Sequence, residues 1–431
     1  MNSLLHSLTS VLAWLAIPVA VVLGFHFFGL LLSMLKRKKT AAFAKEQTDF
    51  ACIITAYKNI DIARGLIASL QQQRYKKYSI YLVADDCPDF LLEAHPNLTI
   101  IRPEKKLGSK VKSLIAGINA FTRRHEAIVV FDPDTLAHPY FLSEINDWFK
   151  AGYKAVQGQR VAKNLDTVYA CMDAIGEYYY NYAVREVPFR LGSSATISGS
   201  AMGIETGLFN QYIAHLQKDG VDRVIPAEDK ILQIFLVDNN VTIAYAPDAI
   251  VFDEKVSGGA EVARQRTRWL NAWFSHTGHG LKTLTGGISA FSLNRFWFGL
   301  LNIYPPMFMI VVGAIGVAGF AILVSIIQGI LGEPGFFLSP ARVPGAYIIA
   351  SGLFFYSFNF VLSLKLNHTP AKVMQALVFI PKFVFNQFLA LLQIKKSDKD
   401  FMATTHKAYL NVNEVMLSTT HSRRRDGLKR N

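Results

Sequence analysis

A chain of 431 residues with 51% hydrophobic residues, 18% charged residues and a mean hydropathy of +0.23 is too long for one small domain and too apolar for an ordinary soluble protein. The net charge of +13 does not point to nucleic acid, because much of the basic excess lies beside apolar stretches: KRKK at 36–39, KK at 395–396 and RRR at 423–425. Such clusters mark membrane flanks that face anionic lipid. Cys52, Cys87 and Cys171 show no CxxC spacing, which excludes a disulfide framework and a zinc site.

The first apolar segment, Val11 to Leu35, is long enough to cross a bilayer and runs straight into KRKK. No Lys or Arg precedes it, so it is expected to be an uncleaved anchor over 1–40, with its N-terminus outside and residue 36 onward in the cytoplasm.

From 41 to 270 the pattern is that of an α/β domain. DFACIITAY is a short β-rich run, IDIARGLIASLQQQ has helical spacing, and YSIYLVADD is a second buried strand that ends in carboxylates. LTIIRPE, the helix-like KVKSLIAGINAFTRR and EAIVVFDPDT repeat the alternation, and the last strand again runs into acid. A mostly parallel sheet follows, with ligands at the carboxyl ends of its strands. Asp85/Asp86 and Asp132/Asp134 fall there. A D-x-D can hold a divalent cation that also holds a diphosphate, but solvated turn acids shaped by Pro133 give the same letters.

Beyond Arg295 about 36 residues suffice for one tilted span with a lead broken at Pro305-Pro306, and a second span runs from Val343 to Leu364. The stretch 371–394 places Lys372, Gln375, Lys382, Asn386 and Gln393 within one narrow arc, which describes a helix lying in the interface. A fourth span with a polar stripe is the alternative, but it leaves the basic tail outside. Three spans are therefore expected, with interfacial and transmembrane helices over 271–394 and a cytoplasmic tail over 395–431.

IITAY, SLQQQRY, VADD, GSKVKSLIAGI, DPD, ISGSAMGI, AED, QRTRW and FMATTHK occur in this order. In this the chain resembles the membrane-bound family 2 glycosyltransferases, the group that holds cellulose, chitin-oligosaccharide and hyaluronan synthases and ceramide glucosyltransferases. The resemblance implies a GT-A type nucleotide-sugar-binding domain, with Asp85 at the uracil and Lys112, rather than Lys110, reaching the nucleotide. It implies Asp134 as the ligand of Mg²⁺ or Mn²⁺, with Asp132 near the ribose and diphosphate. Asp229 is implied as the base, with Glu228 as a substrate contact beside it; Ala227 replaces the usual Thr.

QRTRW fits the family pattern Q-x-x-R-W with Gln265, Arg268 and Trp269. An Arg fork suits a leaving diphosphate, Gln adds a neutral hydrogen bond, and the Trp face can carry a sugar ring. An amphipathic helix at the lipid surface is the alternative use of such residues. FMATTHK is similar to the gating loop of polymer-making relatives, with Ala403 for Val. Phe401 and Thr404 carry over, and the basic role falls to His406 or Lys407.

The resemblance thus implies an inverting, metal-dependent transferase of a UDP-sugar, in a bacterial inner or plasma membrane, that extends a polysaccharide and passes it outward. A single transfer to a membrane lipid is the alternative, and so few spans also suggest a homo-oligomer. A nucleotide-sugar sensor would need neither Asp229 nor Trp269, a solute transporter would need more spans, and a nucleic-acid binder would gather its basic residues on one face of the soluble domain.

Overall fold

Apolar runs covered on both faces make the central strands. In the computed structural model, which describes residues 2–218, 227–332, 335–381, 383–385, 387 and 410–418, every residue of YSIYLVAD in β2 (Tyr78–Asp85) is buried. β1 (Phe50–Tyr57), β3 (Leu98–Ile101), β4 (Ala127–Phe131), β5 (Leu136–Ala137), β6 (Ala155–Ala162), β7 (Met202–Glu205) and β8 (Ile243–Asp253) complete one sheet in the order β3-β2-β1-β4-β7-β6-β8-β5. β1 pairs in parallel with β2 and β4, β2 with β3, and β6 with β8. The sheet is mixed rather than simply parallel, because β7 runs antiparallel between β4 and β6 and β5 runs antiparallel to β8. One inverted strand between two others restores their direction. β1, β2, β4, β6 and β8 therefore all end on the same edge.

Helices α2 (Asp61–Gln71), α3 (Lys110–Asn119), α4 (Phe141–Lys150), α5 (Val168–Tyr180), α6 (Val187–Leu191), α7 (Thr206–Lys218) and α8 (Glu228–Asp238) belong to this domain. α2 buries Ala63, Leu66, Ile67 and Leu70, the spacing of one helical face. Between α5 and α6 the chain forms a π-helix, Asn181–Glu186, a local widening that is common at functional sites.

α9 (Gly259–Ser289) and α10 (Leu293–Ile303) lead to α11 (Met307–Ile330) and α12 (Pro344–Leu366). With α1 (Asn2–Met34) these make three helices long and apolar enough to cross a membrane. Ala16 and Leu23 of α1 share a buried cluster with Ile310, Ala314, Ile349 and Tyr356. Gly345 and Gly352 allow a close approach, since a Cβ would lie 2.9 Å from the Leu12 carbonyl oxygen at the first and 3.2 Å from Ala20 Cα at the second. Small residues at such contacts are how helices pack where lipid is the solvent.

In α13 (Ala371–Gln375), Val373 is buried while Lys372 and Gln375 are exposed. Lys382, Asn386 and Gln393 of the expected polar arc, and FMATTHK at 401–407, lie outside the described residues. The final helix, α14 (Val412–Ser418), inserts Val412 and Val415 into a cluster with Leu136, Ile250 and Phe252. The tail thus docks on the same domain that follows α1, which fits two crossings between them. A single cysteine at the exposed Asn413, with Cys52, Cys87 and Cys171 replaced, should resist an impermeant thiol reagent in intact cells and react once the cells are opened. Labelling of intact cells would put α14 on the opposite side.

Candidate active site

The shared strand edge gathers the acids. Asp85, the last residue of β2, is 2% exposed and accepts the backbone N–H groups of Leu107 and Gly108, one on each carboxylate oxygen, both at 2.8 Å. It fixes the loop that leads into α3, and a carboxylate oxygen that has taken one hydrogen bond can take another. Just past β4, Asp132-Pro133-Asp134-Thr135 form a turn in which the Thr135 N–H and hydroxyl donate to the Asp132 carbonyl at 3.2 and 2.8 Å. Asp132 and Asp134 both line the cavity above this edge.

Lys110 reaches Asp132 directly. Ser109 is extended and Lys110 opens α3, so its side chain turns back toward the strand ends. Lys112, two residues and roughly 200° further around the helix, is absent from the cavity wall. Lys110 Nζ donates to Asp132 Oδ1 at 2.6 Å and to the Gly199 carbonyl at 2.9 Å, and lies 3.5 Å from Glu228. Burial works against its charge, but Asp132, Glu228 and Asp229 outweigh burial and hold the ammonium well above the usual lysine range. Burial likewise pushes the Glu228 carboxyl up, against the pull of Lys110 and with the push of Asp229.

Residues 196–200 arch between these groups and are held by side chains at each step. Arg185 donates to the Thr196 carbonyl, Gln233 accepts the Ile197 N–H, Gln157 accepts the Ser198 N–H, and Arg160 donates to the Ser198 carbonyl. Ser200 Oγ in turn accepts the Asp132 N–H at 2.9 Å. Gly199 sits at φ +74, where a side chain is strained, and a Cβ there would stand 3.5 Å from Lys110 Nζ and 3.6 Å from Asp229 Oδ2. Asp229, in the first turn of α8, accepts the Lys230 N–H on Oδ1 and leaves Oδ2 beside this arch.

Across the cavity, α9 presents Gln265, Arg268 and Trp269. The Gln265 side-chain oxygen is buried without a partner, and Trp269 is 43% exposed. Arg266, which the Q-x-x-R-W pattern leaves unspecified, lies 4.4 Å from the Trp269 ring and pairs with Asp173 at 2.8 Å. A buried ion network lines the same wall. Glu177 meets Arg185 at 2.7 Å, and Asp253 meets Arg160 at 2.6 Å and Lys255 at 2.7 Å. Sequence reasoning missed these residues; the available signal was Asp173, Glu177 and Tyr180, spaced to share one face of the otherwise apolar α5.

The cavity measures about 1670 Å³ and continues from the strand edge past Trp273 and Tyr304 to α11 and α12. That exceeds the roughly 300–1,000 Å³ of a site for one small ligand. Among the described residues no three His, Cys, Asp or Glu side chains stand close enough to hold a metal alone. The donor set still suits Mg²⁺ or Mn²⁺. These ions take one or two carboxylates and complete their shell with water and substrate phosphates, and Asp132 and Asp134 both stand at the cavity wall.

The family model for "Glycosyltransferase like family 2" matches residues 47–272. The fold is similar to that of the mannosyltransferase PcManGT from Pyrobaculum calidifontis, solved with GDP-Man and Mn²⁺, at 13% identity and a TM-score of 0.50 over 87% of this chain and 98% of that one. Residues 1–349 of S. aureus TarS, solved with UDP-GlcNAc, align at 14% identity and a TM-score of 0.36 over 72% of this chain and 90% of that one. No curated protein matches the chain.

Lys110→Ala removes the only ammonium that touches both Asp132 and Glu228 among the described residues. Nucleotide affinity and turnover should fall together, turnover by about 10² or more, whereas Lys112→Ala should stay within about threefold of wild type. Equal losses in the two variants, measured by titration calorimetry and initial rates, would return the role to Lys112.

Proposed function

Because the chain belongs to the glycosyltransferase-like family 2, and is thus a sugar transferase, we propose that it moves one sugar, with inversion, from a uridine diphosphate sugar to a lipid acceptor that enters from the membrane. The carrying observation is the single cavity that joins the strand-edge acids to the membrane helices. The two acceptors that the sequence leaves open make different demands on it. A polysaccharide path must be lined to the far side of the bilayer. Here the described lining of α11 stops at Val311, four residues or about 6 Å from its start, and that of α12 stops at Leu353. Met307, Phe308, Val311, Leu353, Phe360 and Val361 give this end an apolar lining that acyl chains can fill, with a few polar side chains among them.

The uridine rests on Asp85 and the diphosphate lies between Lys110 and Arg268. A divalent cation held by Asp134 and the phosphates would neutralise the leaving group. Glu228 is engaged by Lys110, so the free edge of Asp229 is the base. As Asp229 takes the proton of the acceptor hydroxyl, the oxygen bonds to the anomeric carbon from the face opposite the diphosphate, which leaves with the electron pair of the broken bond. Trp269 carries the acceptor ring, with Arg266 behind it. The domain faces the cytoplasm, a placement supported by KRKK directly after α1.

Membranes containing the protein, given labelled nucleotide sugars and Mn²⁺, should yield an organic-soluble product that carries one added sugar; a water-soluble polymer would restore the polysaccharide reading. Asp229→Asn should lower turnover by about 10² to 10⁴ with little change in uridine diphosphate affinity. Trp269→Ala should raise the acceptor KM while leaving that affinity intact. Near-normal turnover of Asp229→Asn would remove it as the base.

A further inference from the structure

Polar side chains at the level of membrane helices are costly and mark sites of function. The deep end of the cavity holds three. His26 of α1 and Tyr356 of α12 are each 6% exposed, and Tyr180 ends α5; all three line the cavity. Among the described residues none of the three side chains makes a hydrogen bond within the protein. Ring contacts hold His26 instead: its ring centroid lies 4.4 Å from that of Tyr304 and 6.0 Å from that of Tyr179. Tyr304 and Tyr179 have partners of their own, since Tyr304 donates to the Val22 carbonyl and Tyr179 accepts from Asn359. What stands open is an imidazole and two hydroxyls, on three different elements, facing one space.

These polar atoms open on the cavity rather than on protein partners, so a ligand that fills this end can take their hydrogen bonds. We infer that His26, Tyr180 and Tyr356 form a subsite that hydrogen-bonds the linkage group of the acceptor lipid, an ester or amide between its head and its chains. This rests on the lipid-acceptor reading above and deepens it. An isoprenoid phosphate, whose chain starts at the phosphate, offers no such group.

The route to the reaction centre sets the size of the head. Trp269 and Trp273 are one turn apart on α9, about 6 Å, and Trp273 Nε1 donates to the Tyr304 carbonyl at 3.0 Å. Tyr304 then touches His26. A lipid that meets both Trp269 and His26 therefore spans the Trp273–Tyr304 contact between them, which calls for a polar head rather than a bare hydroxyl.

The test measures transfer by the purified full chain in nanodiscs to monoglucosyl-dioleoylglycerol, glucosylceramide, dioleoylglycerol and undecaprenyl phosphate, with uridine diphosphate affinity as the control for folding. The first two separate an ester from an amide linkage. At least one of them should be used in preference to the last two. His26→Leu and Tyr356→Phe should each raise the KM for that lipid about three- to tenfold and leave the donor KM unchanged, the size of one lost hydrogen bond. His26→Asn, which keeps a donor and an acceptor, should recover most of the loss. An unchanged lipid KM in His26→Leu, or preferred use of undecaprenyl phosphate or dioleoylglycerol by the wild type, overturns the subsite. A lipid-free polymer overturns the lipid-acceptor reading as well.

Discussion

One ammonium group holds the candidate site together. Lys110 reaches from the start of α3 to Asp132 after β4, to the Gly199 carbonyl in the arch, and to Glu228 at the start of α8. Four segments from across the domain therefore share one positive charge. Without it three carboxylates would crowd a half-buried space, and their mutual repulsion would push the arch and α8 apart. The mixed sheet serves this arrangement. β7 runs against its neighbours, so the 193–201 segment enters it from the ligand edge and hangs the arch directly over Asp132.

The wall beyond the arch follows the same logic with more charges. Arg160, Arg185 and Lys255 are each met by Glu177 or Asp253, and the two arginines serve the backbone as well, because they donate to arch carbonyls. The π-helix brings Arg185 into range of Glu177, Asn181 and Thr196 together. Such buried networks stabilise little in total, but breaking one member leaves another charge stranded, so they hold shape more than they add stability.

The parts of this architecture that rest on local pattern could be read from the sequence. Strands buried on both faces stand out as apolar runs, and Asp85, Asp132 and Asp134 fall where such runs end. The inversion of β7 was not legible, since four residues of MGIE carry no sign of direction. The contact of Lys110 with Asp132 was not legible for a related reason. Lys110 and Lys112 both lie within three residues of a helix start, and which one faces the strand edge depends on where the first turn begins. Pairs such as Arg266 with Asp173, or Arg160 with Asp253, join residues about 90 positions apart, and only the folded chain brings them together. His26 was hidden differently, as one polar letter inside a segment read for its apolarity.

The close packing of α1 against α12 at Gly352 bears on how the protein is made. α1 ends at Met34 and α12 begins at Pro344, so the 309 residues from 35 to 343 separate the two helices along the chain. At about 5–20 residues per second, a ribosome takes roughly 15 to 60 s to cover that distance. Throughout that interval α1 lacks its α12 contact and has only the elements made before α12 to pack on, Ile310 and Ala314 of α11 among them. The earlier of the two helices thus waits for its α12 contact, and its own apolarity serves to keep it in place until then.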